Sequence, residues 1–240
     1  MNSKDVQDFT ESLYDENKLK SIYRQKKESK DELLKLLAMI MLTYTMANDV
    51  MSLSDKEYSK ENSNIKKMIK SLTMADIARI QGDTASILKD VAESVFDFYS
   101  YNYNLEEVKN IIDSNFKGKH FSDRIWSNEQ EVANRLYKQC QDFLHGKINV
   151  NEIKNCIEKT YNTSAYNAKR LAETEISRVQ SESFLRFCEE TGVLKLRYNS
   201  ILDTNTCSDC AEYDGTIYNL GKQPDLPRHP LCRCFYEVEE

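Results

Sequence analysis

The sequence predicts a mainly α-helical chain that ends in a small β unit, an α+β arrangement. Three observations predict it. No proline occurs before Pro224, and only Gly82, Gly118, Gly146 and Gly192 punctuate the chain up to that last glycine. Apolar residues in this stretch recur with the period of an amphipathic helix. Past Gly192 the pattern switches to alternation in "VLKLRYNSIL", which reads as a strand.

Each helix carries its own signal. "SKDE" at Ser29, "SDKE" at Ser54, "NLEE" at Asn104 and "SNEQ" at Ser127 have capping-box spacing and predict helix starts. After Ser29, residues Leu33, Leu36, Leu37, Ile40, Met41 and Tyr44 form one apolar face. Further helices are expected from Asn64 to Ile80, Thr84 to Tyr99, Leu105 to Ser114, Ser127 to Leu144 and Asn151 to Thr160. The longest is expected from Thr163 to Thr191, stopped by Gly192 as a C′ glycine. Ala168, Ala172, Ile176, Val179, Ser183 and Phe187 form its apolar stripe. Arg170, Thr174 and Arg178 share another face, and the two arginines read as solvated or ion-paired surface residues. Glu182 and Arg186 have the spacing of an i, i+4 pair. Beyond the strand, "YDGTIY" holds an Asp-Gly hairpin signal and "CFYEVEE" reads as a last strand.

The polar, aromatic stretch "YSYNYN" at Tyr99 to Asn104 marks a boundary. It divides an N-terminal helical region, residues 1–102, from a helical segment, residues 103–192, and the β unit follows over residues 193–240. The only tryptophan, Trp126, reads with Arg124 as a buried anchor and its charge partner. His120 and His145 stand alone beside loops and read as surface or capping residues.

Composition narrows the function classes. The net charge of −6 excludes a general basic field, so any nucleic-acid contact needs a local patch such as Lys66, Lys67 and Lys70 or Arg170 and Arg178. The N-terminus lacks the apolar core of a signal peptide, and the longest apolar run, Leu36 to Leu42, is far shorter than the roughly 20 residues of a membrane span. These features predict a cytosolic chain with reduced thiols and no membrane partner. Seven cysteines, an odd number, argue against a closed disulfide framework.

The C-terminal cysteines therefore read as metal ligands. Cys207-x2-Cys210 and His229-x2-Cys232-x-Cys234 supply two close donor groups, the usual arrangement of a structural zinc site. A unit this small buries too little apolar surface to stand alone, and a structural metal is a standard remedy. The expected fold is thus a mainly α chain with a zinc-stabilised β unit. Five donors compete for four places. Cys207 and Cys210 are the fixed pair, and the rest come from His229, Cys232 and Cys234, with a four-cysteine site also open. Pro230 stiffens the backbone beside the histidine. A redox CxxC lacks its βαβ surroundings. A deaminase-type zinc site would need a glutamate where Leu231 stands.

The order "FSDRIW", "GKINVNEI", "AKRLAETEISRVQSE", "GVLKLRYNSILDTNTCSDCAEYDGTIY" and "PRHPLCRC" resembles the minor head protein family of tailed phages, also called the Mu-F-like head morphogenesis family. The resemblance rests on Thr174, Glu175, Asp203, Thr206, Cys207, Cys210, Asp214, Gly215, His229, Pro230, Cys232, Arg233 and Cys234, and it runs from Phe121 to Phe235. The family often has tryptophan where Tyr198 stands. The resemblance implies a non-enzymatic head component, found in the host cytoplasm during assembly and then in the virion head. Its partners would be the portal protein and other capsid or scaffold proteins, with DNA as a further candidate and no small-molecule substrate. Two other readings stand beside it: a zinc protein that accompanies phage DNA, and a zinc hydrolase or nuclease using Asp203, Asp214 or His229.

Overall fold

A computed structural model describes residues 3–14, 16–201 and 207–239. In order, the elements are α1 (Ser3–Ser12), α2 (Glu16–Thr43), β1 (Met46–Ala47), β2 (Val50–Met51), α3 (Asp55–Phe98), α4 (Leu105–Ile112), α5 (Phe121–Leu144), α6 (Val150–Thr191), β3 (Lys195–Asn199), α7 (Ser208–Tyr213), β4 (Ile217–Asn219) and β5 (Phe235–Glu239). The chain is thus mainly α with a small C-terminal sheet, as the sequence predicts. No helix among the described residues is long and apolar enough to cross a membrane.

The described residues group into two compact units, each discontinuous in sequence. One unit comprises residues 1–19, 84–121 and 169–240, and the other residues 20–83 and 122–168.

The second of these units is a helical core with a small hairpin. Leu33, Leu37 and Ile40 of α2, Ile65 and Ile69 of α3, Leu136, Cys140 and Phe143 of α5, and Ile153 and Ile157 of α6 form one buried cluster. The apolar face read from Leu33, Leu37 and Ile40 is therefore a core face. β1 and β2 pair antiparallel, Met46 with Met51 and Ala47 with Val50. Asn48 and Asp49 turn the hairpin with positive φ, the conformation a two-residue primed turn demands. This hairpin was not expected, although the Asn-Asp pair is its signal. Asp49 accepts a hydrogen bond from the Val150 amide, which ties the hairpin to the start of α6.

Gly146 sits at φ 68°, and a Cβ there would stand 2.7 Å from the Met51 carbonyl oxygen. Gly146→Ala is therefore expected to cost about 1–3 kcal/mol, from left-handed strain and from the backbone that has to move. A urea melt of the variant checks this.

A buried ion cluster crosses the same unit. The Lys26 ammonium lies 2.9 Å from Asp76 and also bonds Glu129, with all three side chains almost fully buried. Ser29 donates to Asp76 at 2.6 Å, and Ser164 donates to the other oxygen of Glu129 at 3.3 Å. Burial outweighs Lys26 and raises the Glu129 carboxyl above the ordinary range. A raised folded-state value means that the folded chain holds this proton more tightly. Glu129 then costs stability as pH rises through the window above the ordinary glutamate value, and this cost vanishes on acidification. Glu129→Gln keeps an acceptor for Lys26 and is expected to lose this pH dependence. Relative to wild type it gains stability at pH 8 more than at pH 5, as thermal melts at the two values would show.

The other unit is built around the C-terminal half of α6. Residues Thr174 to Ser181 are all buried, so this helix is enclosed on every side instead of along one stripe. Phe9 of α1 stacks on Phe98 at 4.0 Å, and Tyr99 stacks on Phe187 at 4.8 Å. The sheet is antiparallel in the order β4-β3-β5, with Leu196 between Tyr218 and Val238. Tyr198 is fully buried and meets Tyr236 edge to face.

Several element limits differ from expectation. α2 runs through Ser29, whose hydroxyl is buried on Asp76 instead of capping a helix. α3 is one helix through Gly82, and α6 is one helix where two were expected. α5 begins at Phe121, and Ser127 lies inside it, bonding the Asp123 carbonyl. Ser54 and Asn104 do sit at helix starts, with Glu57 and Glu107 closing back on them. Asn149 and Glu152 form the same reciprocal bonds at the start of α6. Gly192 has φ 73°, the C′ conformation expected of it.

Two side-chain expectations are overturned. Trp126 is 53% exposed and is no buried anchor. Arg178 is fully buried and is no surface residue, whereas Arg170 is exposed. Arg178 donates to Glu175 at 2.6 Å, to Glu182 at 2.9 Å and to Ser114 at 2.6 Å. It also donates to the carbonyls of Ile111 and Ile112, the last residues of α4. Both oxygens belong to the last turn of α4, where a cation is a favoured partner, and the Ile111 oxygen also accepts from the Ser114 amide at 3.4 Å. Glu182 is thereby paired back to Arg178, and Arg186 turns to Glu190 and Glu107 instead.

Candidate metal centre

Three short segments bring the five predicted donors together. Cys207 opens α7 as its N-cap, and its sulfur accepts from the Cys210 amide at 3.4 Å. This first turn places Cys207 and Cys210 side by side. The second group is shaped by a tight turn in which the Cys232 amide bonds the His229 carbonyl. Leu231 adopts φ 64° within it, an unusual conformation for a branched residue and one that the surroundings have to hold. Its amide donates to Thr174 Oγ1 at 3.2 Å, so α6 fixes the turn. Cys234 follows as the chain enters β5.

The donors meet closely. His229 Nε2 lies 3.2 Å from Cys207 Sγ and 3.2 Å from Cys210 Sγ. Cys210 Sγ lies 3.9 Å from Cys232 Sγ. Two three-donor groups result, Cys207–Cys210–His229 and Cys210–Cys232–Cys234, and Cys210 belongs to both. A cavity of about 20 Å³ lies among the five, close to the room one small ion needs. His229 Nδ1 is 2.9 Å from the Pro230 carbonyl oxygen. A proton on Nδ1 leaves the Nε2 lone pair facing the sulfurs, the usual orientation of a ligand histidine.

The electrostatics fit a cation. The Cys210 amide aimed at its sulfur holds the Cys207 thiol below the ordinary range. The bond from Cys234 holds Cys232 down to about 5 despite its burial. Burial pushes Cys210 up to about 11, and the bond to Cys232 raises Cys234. The four thiols are thus shifted in opposite directions. A bound metal would hold its cysteine ligands as thiolates. Two of the three remaining cysteines contrast with these. Burial raises Cys140 and Cys188 to about 12, and both behave as small core hydrophobes.

Supporting residues were not legible as such. Ser200 donates to the Cys210 carbonyl at 2.8 Å and lies 3.6 Å from Cys234 Sγ. Asp214 accepts from the Ser200 amide at 2.7 Å. Arg228 lies over the Tyr213 ring at 3.9 Å and donates to the Asp209 carbonyl. Asp203 and Thr206 lie outside the described residues. His120 and His145 join neither donor group; His145 stacks on Tyr58 at 4.2 Å.

The segment that holds this cluster matches a known family. Residues 128–237 fit the model described as Phage Mu protein F like protein. This stretch, a little under half of the chain, is thus similar to Mu-F-like proteins. No curated protein and no solved structure matches the chain. The match extends from α5 through α6 and the sheet to β5, and so includes all five donors. Two positions of the matched segment gain a physical role from the structure. Thr174 donates to the Arg170 carbonyl at 2.7 Å and anchors the histidine–cysteine turn through Leu231. Glu175, one residue on, holds Arg178 in the buried interior.

Proposed function

We propose that the chain is a minor head protein of a tailed phage or prophage. It acts without catalysis at the portal or procapsid during head assembly and DNA packaging, and its Cys–His cluster holds a structural zinc ion. The observation that carries this reading is the family match over residues 128–237, which coincides with the donor cluster. Zinc suits the donors. Tetrahedral zinc with Zn–S near 2.3 Å sets sulfurs about 3.8 Å apart, and Cys210 and Cys232 are 3.9 Å apart. Cys207, Cys210, His229 and Cys232 form the favoured set, because Cys234 has Ser200 as a partner of its own. Bound zinc would supply cross-linking of α7 to the turn before β5. Asp214, a candidate for hydrolytic chemistry, is occupied in holding the Ser200 amide.

The test is to induce the source element, separate its particles on a gradient and identify the chain by mass spectrometry. Recovery at low copy with the portal in proheads is the expected result. Absence from every particle, with the chain left free, would overturn the head reading. A gel shift with duplex DNA at low salt would then decide for or against the nucleic-acid alternative.

A further inference from the structure

The geometry points to a protein-docking groove in the unit of residues 20–83 and 122–168, shaped for an acidic amphipathic helix of a partner protein. The groove runs between α3 and α5 and has a volume of about 280 Å³. Lys66, Lys70 and Met74 of α3 line one side at i, i+4 and i+8, with Ile69 between them, and Ala133 and Tyr137 of α5 line the other. The α3 ridge therefore extends about 12 Å, at 1.5 Å per residue, which two to three turns of a docked helix would cover.

The lining combines apolar, cationic and neutral polar groups, the last from Thr73, Gln130 and Asn134. Its apolar part is Ile69, Met74, Ala133 and Tyr137, and Met74 is 53% exposed, a large apolar side chain left open to solvent. Its charged part is Lys66 and Lys70 alone, both exposed, with no carboxylate among the lining residues. In a chain of net charge −6 this cationic rim is a local departure. The complement is a helix with leucine-like residues at i, i+3, i+4 and i+7 and glutamates or aspartates beside them. The apolar stripe would meet Met74, Ala133 and Tyr137 over a floor that includes the buried Ile69, and the acids would meet the two ammonium groups. A nucleic-acid backbone would satisfy the lysines and leave the apolar lining uncovered. The inference does not rest on the head reading.

The test uses the full chain and a fluorescein-labelled peptide of about 16 residues, with leucines at helical spacing and glutamates elsewhere. Fluorescence anisotropy is expected to show binding that weakens with salt. Lys66→Glu with Lys70→Glu, and separately Met74→Asp, should each weaken it by about tenfold or more. All three positions are exposed, so circular dichroism should report an unchanged fold. A matched peptide with lysines for glutamates should not bind. Three results would overturn the proposal: no binding of the acidic peptide, binding that both variants leave unchanged, or selective binding of a duplex DNA oligonucleotide that the lysine variant abolishes.

Discussion

Cys210→Ser is expected to abolish metal binding at the proposed zinc site and to unfold the chain beyond Val193. Cys210 is the one donor shared by both three-donor groups, and it is buried. The sheet it helps hold has three strands of 5, 3 and 5 residues, too few to be stable without a further constraint. In small zinc units metal binding supplies about 10–16 kcal/mol, and much of that is folding free energy. Elemental analysis of the purified variant should show zinc falling from stoichiometric to background. Limited proteolysis should cut within residues 194–239 while fragments of the α2–α3 region persist. Cys156→Ser, outside the cluster, should change neither measurement, and Cys234→Ser should keep its zinc if Cys207, Cys210, His229 and Cys232 are the ligands. Unchanged zinc content and protease resistance in Cys210→Ser would refute the site.

The donor cluster was legible because its information is local. CxxC and HxxCxC each fix their own turn, and the structure only has to bring two turns together. Helix starts were legible on the same terms where the cap stands at a chain break, as at Ser54 and Asn104. They misled at Ser29 and Ser127, where the same residue spacing lies inside a longer helix. A serine hydroxyl there serves a different acceptor: the buried Asp76 carboxylate in one case, the Asp123 carbonyl in the other. Spacing does not reveal which acceptor wins.

The larger arrangement was not legible for a related reason. α3 and α6 each contribute to both compact units, one through the first half of its length and the other through the second. A pattern averaged along such a helix blurs, because the face turned inward in one unit need not continue in the other. The C-terminal half of α6 shows this most sharply. Its apolar stripe from Ala172 to Phe187 is real, but Glu175, Ser177, Arg178 and Gln180 are buried as well. Gln180 is held by Thr10 of α1, a partner 170 positions away that no local window contains.

Arg178 is where that difference has the largest energetic consequence. Arg178→Ala is expected to cost about 3–5 kcal/mol, the range for removing one partner from a buried ion pair. The loss is more than one bond. The Glu175 Oε2 contact disappears while its Oε1 is already buried without a partner, so a bare carboxylate remains in the interior. The Ile112 carbonyl loses this donor at the same time, and the Ile111 carbonyl keeps only the backbone amides of the following turn, which loosens the end of α4. Arg178→Lys should recover only part of the loss, since an ammonium cannot reproduce a planar fork that reaches Glu175, Glu182, Ser114 and two carbonyls. Arg170→Ala, two turns earlier and exposed, should stay within about 0.5 kcal/mol. Urea melts followed by circular dichroism separate these outcomes. Equal costs at the two arginines would mean that Arg178 is solvated after all. A large cost at Arg178 that Glu175→Gln partly relieves would locate the penalty in the orphaned charge, since a neutral amide in that place costs less to bury than a carboxylate.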